Sequence, residues 1–508
     1  MIMYFQNLKK AILKNRTTSI IVFFALLIFC TTACNSHGYF HGDEHYQIIE
    51  FAGVKLGTHQ SSELAWEFSE KLRPSLQTTL VFFIISILKI INVINPYTQL
   101  FILRLITALF AIYVIKFSVD RNRYLLKGKG MQIAFLLISF FLWFIPFLSV
   151  RYSSETLSGL FMLFGISLYD KEKRYNSILV GFIFGISYLF RFQIAFAFIG
   201  FLFWFFIVDK RNWKEIFRLG IPFIGVVLIG IVIDSWFYGE FVFTSWNYFH
   251  ETMLKKDSVS FGDSPWYYYL ESIYTLPSKI IGTFILLSLI LVLMFYPKNK
   301  MIWMIIPFLI FHSLVPHKEE RFIFPIIYFF PLILMLAFDL IYQIKQNSIL
   351  KKSYTILLIS TLLIVNGIGL LAMSQKSAGL GRMEISKYIH DHYGDKKINL
   401  IYSIWSNPYD PWQGLTAKFY SEKNIESVKI DKLCFLNDSL LLQNSSNLLV
   451  IRKYDREYDE CKNVLNSKNI KLLVKSVPDW ILKLNNKFYN YPDQDVFELY
   501  SINGKVSN

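Results

Sequence analysis

Two groups of ionisable residues in this chain sit where folding alone gives little reason for them. The first is His41-Gly42-Asp43-Glu44-His45-Tyr46-Gln47-Ile48-Ile49-Glu50, which opens with an acid pair just past an apolar run. On a helix beginning at Asp43, Gln47 and Glu50 share a face with Asp43, while Glu44 points elsewhere. One carboxylate can then face a substrate as proton acceptor while its neighbour orients or balances it. The same pair would also serve as first-turn charges complementing a helix dipole, and the spacing leaves both readings open. The second group is Val315-Pro316-His317-Lys318-Glu319-Glu320-Arg321-Phe322-Ile323-Phe324-Pro325, in which a His and four ionisable residues interrupt two apolar stretches. Charges beside lipid are expensive unless they do something. Lys318 and Arg321, at i, i+3, can grip a phosphate while Glu319 or Glu320 holds them in place. A solvated loop with internal ion pairs is the alternative.

The surrounding elements are hydrophobic. Of 508 residues, 54% are hydrophobic and 18% aromatic, with 49 Phe, and the mean hydropathy is +0.39. Apolar stretches repeatedly exceed the roughly 18 residues needed to cross hydrocarbon, which excludes a soluble globular fold. The net charge of +15 would suggest nucleic acid in a soluble protein. Here Lys and Arg gather in short segments between apolar runs, as the positive-inside rule produces. No nucleic-acid partner is expected. Cys30 and Cys34 belong to the first apolar segment, which leaves Cys434 and Cys461 as a possible pair. Thr31-Thr32-Ala33-Cys34 resembles a lipoprotein cleavage box but has Thr where an aliphatic residue is usual, so an uncleaved first span is expected.

Basic clusters fix the cytoplasmic face: Lys9, Lys10, Lys14 and Arg16; Arg121, Arg123, Lys127 and Lys129; Lys171, Lys173 and Arg174; Lys210, Arg211, Lys214 and Arg218; Lys298 and Lys300; Lys345, Lys351 and Lys352. If every apolar segment crossed, Leu76 to Ile94 would put the Arg121 cluster outside. That segment carries Gln77, Thr78, Thr79, Lys89 and Asn92 and follows the amphipathic stretch Glu63 to Arg73. It is therefore expected to lie in the outer interface as a helix. The spans then read 18–35, 97–118, 131–149, 155–170, 176–190, 192–208, 219–235, 279–296, 301–316, 322–343 and 353–373. Outside remain a loop from Ser36 to Pro96, another from Trp236 to Pro277, the turn around His317, and everything after Ser374. The tail shows strand-like runs at Ile398 to Ile404, Asn447 to Ile451 and Ile470 to Val474. The expected organisation is a polytopic α-helical membrane domain over 1–374, with about 11 transmembrane helices and a long first outer loop at 36–96, followed by a small soluble α/β domain over 375–508.

His41-x-Asp43-Glu44 after the first span and His317-Lys318-Glu319-x-Arg321-Phe322 late in the chain together resemble glycosyltransferase family 22. The likeness continues through Trp66-Glu67-Phe68, Arg73-Pro74-Ser75, Arg104-Leu105-Ile106-Thr107-Ala108-Leu109, Ser154-Glu155-Thr156-Leu157-Ser158, and Asp234 with Tyr238-Gly239 and Asn247. It ends in Pro265-Trp266-Tyr267-Tyr268-Tyr269-Leu270, similar to the family's Pro-Trp-His-Trp-Tyr segment. Ser245 stands where the family often has Pro, and Tyr267 and Tyr268 replace the His-Trp pair.

The resemblance implies a GT-C fold and a polyprenyl- or dolichyl-phosphate-linked sugar donor, with mannose as the sugar. It also implies a lipid-linked or surface glycan as acceptor, inversion at the anomeric carbon, and no cofactor or obligatory metal. On its motifs the catalytic residues are Asp43 and Glu44. The donor phosphate falls to His317, Lys318 and Arg321, and substrate binding to His41, Gln47, Glu67, Arg73, Arg104 and Trp266. Elementary chemistry agrees, because inverting transfer needs one carboxylate to take the hydroxyl proton while the phosphate leaves as an anion that cations receive. Two other readings stand beside this one: a related GT-C enzyme carrying another sugar, such as aminoarabinose or glucose, and a transporter or flippase of lipid-linked glycans. Arg104 and Arg191 within spans suit a transporter, but no pseudo-symmetric halves are evident. The active site is expected on the periplasmic or lumenal side. Asn437-Asp438-Ser439 and Asn444-Ser445-Ser446 are glycosylation sequons, whereas the Lys-, Asn-, Ile- and Phe-rich composition favours a bacterial inner membrane over an endoplasmic reticulum.

Overall fold

The computed structural model describes residues 16–170, 176–254, 262–344, 353–410, 415–421, 424–485 and 495–503. Lys9, Lys10, Lys14, Lys171, Lys173, Arg174, Lys345, Lys351 and Lys352 of the basic clusters lie outside the described residues. The chain divides into two compact units, one of residues 1–34, 70–80 and 102–375, the other of residues 35–69, 81–101 and 376–508.

The first unit is helical and built from apolar segments. Among the described residues five helices are long and apolar enough to cross a membrane: Arg16–Asn35, Pro96–Leu125, Trp213–Tyr238, Glu320–Ile344 and Thr355–Tyr393. Shorter apolar helices include Lys129–Phe141, Ser154–Leu168, Asn176–Phe190, Ile194–Ile207, Lys279–Phe295 and Lys300–Leu314. This is an integral, multi-pass membrane protein. Each expected span has a helix at its place, with local departures. The 131–149 segment breaks into Lys129–Phe141 and Phe144–Ser149. The 322–343 segment starts as a 3-10 stretch, Glu320–Phe329, before Phe330–Ile344. Side-chain caps fix the helix starts: the Ser153 hydroxyl accepts from the Thr156 N–H, and the Asn212 amide oxygen from the Glu215 N–H. Gly239, at φ +82°, ends Trp213–Tyr238 in the left-handed conformation that glycine adopts without strain. Gly159 has a different purpose. A Cβ there would stand 2.7 Å from the Pro325 carbonyl oxygen, so only glycine lets Ser154–Leu168 pack directly on Glu320–Phe329.

The second unit contains a five-stranded mixed sheet of β1 (Ile398–Ser403), β2 (Ile425–Ile430), β3 (Ser446–Arg452), β4 (Ile470–Lys475) and β5 (Phe497–Ile502), in the order β2-β1-β3-β5-β4. β1 runs parallel to β2 and β3, with Leu400 opposite Leu448, while β5 lies antiparallel between β3 and β4. The three strand-like runs of the tail are β1, β3 and β4; β2 and β5 were not expected. One face packs Ile401, Ile430, Leu433, Leu449, Ile451 and Ile470 into a core. Cys434 and Cys461 are disulfide-bonded beside it. Leu76–Ile90 is a helix, and within the stretch Glu63 to Arg73 Glu63 ends a 3-10 turn and Trp66–Ser69 is α-helical.

Candidate active site

In the first unit the turn around His317, the start of helix Ser154–Leu168 and the residue after helix Asn176–Phe190 form one partly buried ionic chain. Glu319 grips Arg321 edge-on, Arg321 Nε to Oε2 at 2.6 Å and Nη2 to Oε1 at 3.0 Å, the bidentate geometry a planar guanidinium favours. His317 Nε2 lies 3.0 Å from Glu319 Oε1. Burial alone would raise the Glu319 carboxyl, but Arg321 and then His317 outweigh it and hold it down at about 2. Glu319 therefore stays an anion and keeps the Arg321 fork fixed. Lys318, expected beside Arg321 on a phosphate, donates from Nζ to the carbonyl oxygens of Ser264 (2.7 Å) and Pro316 (3.4 Å), so its ammonium ties the turn to the segment carrying Trp266. Trp266 itself is 69% exposed.

The motif residues around Arg73 converge as well. Asp234 Oδ1 accepts from the backbone N–H and the hydroxyl of Ser75, each at 2.7 Å, and its Oδ2 from the Thr244 hydroxyl at 2.6 Å. The Tyr238 hydroxyl donates to the Arg73 carbonyl at 2.9 Å, and the Arg73 guanidinium lies over the Tyr248 ring. Arg104 is buried and donates from Nε to the Ala33 carbonyl at 2.8 Å.

In the second unit the helix starts at Gly42, one residue before Asp43, and widens into a π turn over Tyr46–Glu50 before Phe51–Lys55. A π turn breaks the 3.6-residue register on which the shared face of Asp43, Gln47 and Glu50 was argued. Gln47 Nε2 accordingly donates to Glu67 Oε1 at 2.9 Å, bringing together two expected substrate residues. Glu50 has a different set of partners: His45 Nε2 at 2.6 Å, His59, and the Phe419 N–H at 3.1 Å. The His45 ring is stacked with both Tyr39 and Tyr420. Glu50 is thus a structural anchor. Glu44 Oε2 accepts from the Phe40 backbone N–H at 3.3 Å, a local capping role, while Asp43 beside it is half-buried. His41 packs edge-on against Phe40.

Sequence reasoning left two site residues unassigned. Glu155 and Arg191 form a pair at 2.5 Å, each 5% exposed, and Glu155 also reaches Arg321 at 3.5 Å. The available signal was two charges at the ends of neighbouring spans, both on the face assigned as outer.

The Alg9-like mannosyltransferase family profile matches residues 21–404. Among individual proteins, GPI alpha-1,2-mannosyltransferase 3 of Danio rerio is 27% identical over 295 residues, covering 56% of this chain and 53% of the relative. Alpha-1,2-mannosyltransferase ALG9 of Saccharomyces cerevisiae is 32% identical over 145 residues, 27% of this chain and 24% of its own. The chain spans about half the length of the first of these relatives and less of the second. Among solved structures, ArnT from Cupriavidus metallidurans bound to undecaprenyl phosphate superposes with a TM-score of 0.51 at 12% identity, covering 97% of this chain and 99% of that one. That likeness shows the fold alone, and the fold is the expected GT-C fold.

Proposed function

The chain belongs to the Alg9-like mannosyltransferase family, and from that premise we propose that it transfers mannose from a polyprenyl- or dolichyl-phosphate donor to a lipid-linked or surface glycan, with inversion. Asp43 takes the proton of the attacking hydroxyl as that oxygen bonds to the anomeric carbon. The bond from this carbon to the phosphate oxygen breaks, and its electron pair leaves with the lipid phosphate. Inversion requires attack and departure on opposite faces of the sugar. Arg321 receives the phosphate, assisted by His317, and no general acid is needed because the leaving group departs as a stable anion. Glu44, which accepts the Phe40 N–H, orients the helix start that carries Asp43. Lys318 contributes through its carbonyl contacts to the shape of the cationic turn.

The observation that carries the reading is the Glu319–Arg321 fork: a guanidinium immobilised by a carboxylate is preorganised for an anion and needs no reorganisation when charge develops. Arg104 and Arg191, the residues that would suit a transporter, are engaged by the Ala33 carbonyl and by Glu155. Chemistry on the non-cytoplasmic face follows from the basic clusters, and a bacterial inner membrane is proposed from composition, although the relatives named by sequence are eukaryotic. The test incubates the purified chain with polyprenyl-phosphate mannose and with the glycans and lipids that accumulate, by mass spectrometry, when the gene is removed. Mannose on one of them is the expected product. Transfer of a different sugar only, or none from any lipid-phosphate donor, would refute the proposal.

A further inference from the structure

Arg191 directly follows helix Asn176–Phe190 and is 5% exposed. Its Nη1 lies 2.5 Å from Glu155 Oε1, and the same oxygen lies 3.5 Å from Arg321 Nη1. Both guanidinium carbons also lie over the Phe322 ring, at 4.9 Å for Arg191 and 5.4 Å for Arg321. One carboxylate and one ring therefore gather two cations that would otherwise repel each other in a poorly hydrated place. The Nε–H of Arg191 has no hydrogen-bond acceptor among the described residues. Leaving a buried donor unmatched costs roughly 1–3 kcal/mol, more for a charged group. A hydrophobic anchor would be cheaper, and Glu155 alone would neutralise a single arginine.

We propose that Arg191 is a second cation for the lipid phosphate, and that Glu155 is the positioning residue that aims Arg191 and Arg321 at one anion. This rests on the lipid-phosphate reading above and deepens it. The donor's phosphate is a diester with one negative charge, and the lipid phosphate that leaves is a monoester approaching two, its second ionisation falling near pH 6. Glu319 already occupies one edge of Arg321, so a second guanidinium matches the charge that appears only as the bond breaks. The pair should therefore favour the monoester product over a diester of the same lipid.

The test compares binding of a polyprenyl monophosphate and of its methyl diester to the full chain in lipid nanodiscs at pH 7.5, by calorimetry, with the uncharged polyprenol as control. In the wild type the monoester should bind more tightly than the diester. Arg191→Gln and Glu155→Gln should each weaken the monoester about 10- to 100-fold, the span of one charge-assisted hydrogen bond, and the diester by less than about threefold. A merely structural role would weaken both ligands alike, and that result, or no change in either, would overturn the inference while leaving the functional reading intact. A wild type that binds neither ligand would sink both. If the glutamine variants fail to fold, Arg191→Lys decides by the same ratio, since it keeps the charge and loses the fork.

Discussion

Asp234 and Ser75, 159 residues apart, are joined by two hydrogen bonds to one carboxylate oxygen, from the Ser75 N–H and from its hydroxyl, both at 2.7 Å. A third, from Thr244, takes the other oxygen. The Arg73-Pro74-Ser75 turn is therefore held from the end of helix Trp213–Tyr238. Asp234→Ala would strand buried donors at about 1–3 kcal/mol each. A lower melting temperature together with greater protease cleavage near Arg73 is expected, and an unchanged melting temperature would show that the turn is held otherwise.

Asp43 and Glu44 separate by mutation. Glu44 already accepts a backbone N–H, so Glu44→Gln, which keeps an acceptor oxygen, should be mild. Asp43→Asn removes the basicity while keeping the size, so the transfer rate should fall at least ~100-fold with folding and donor binding unchanged. Near-normal transfer by Asp43→Asn alongside a dead Glu44→Gln would move the base to Glu44.

Arg321→Ala removes the guanidinium and leaves Glu319 without its fork. Loss of such a contact to a charged oxygen typically costs about 2–5 kcal/mol, so donor-dependent transfer should collapse. Unchanged donor affinity and rate would reject its phosphate role.

Topology is testable with single cysteines introduced at Lys129 and Asp395, both exposed, after Cys30 and Cys34 are replaced by serine. The threading expects Lys129 on the cytoplasmic side and Asp395 outside. Labelling of both by an impermeant reagent from the same side would refute it, and with it the interfacial placement of Leu76–Ile90.

Acid should loosen the second unit through Glu50. Burial alone would raise this carboxyl, but His45 and His59 pull it down from 4.5 to about 2. A folded-state value below the unfolded one means that the stabilisation is complete above about 4.5 and is lost as the pH falls towards 2. Hydrogen exchange around His45 and Phe419 should accelerate in that window, and Glu50→Gln should already exchange quickly at neutral pH. A wild type insensitive to pH there would show that the pair contributes little.

Much of this molecule is legible in one dimension because hydrocarbon imposes a local rule: each helix must satisfy its own backbone and present apolar side chains along its whole length. Positions of the helices could therefore be read from the sequence, whereas Cys434 and Cys461 stood there only as a possible pair that the fold closes. Strands were less visible. β2 is a mostly exposed edge, and β5, Phe-Glu-Leu-Tyr-Ser-Ile, is buried throughout despite Glu498, which is accommodated by Arg456 at 3.3 Å, Lys475 at 3.8 Å and the Tyr500 hydroxyl, which donates to it at 2.7 Å. The site divides in the same way. Glu319, Glu320 and Arg321 are close in the chain, so a carboxylate beside Arg321 was expected with either glutamate as the partner, and the fold selects Glu319. Glu155, Arg191 and Arg321 meet only because Gly159 lets one helix press against the carbonyl of Pro325. That contact depends on volumes brought together by packing, and no periodicity in the sequence encodes it. The π turn at Tyr46–Glu50 was likewise decided by tertiary partners, since the helix gives up its regular register where Glu50 meets two histidines and the Phe419 backbone.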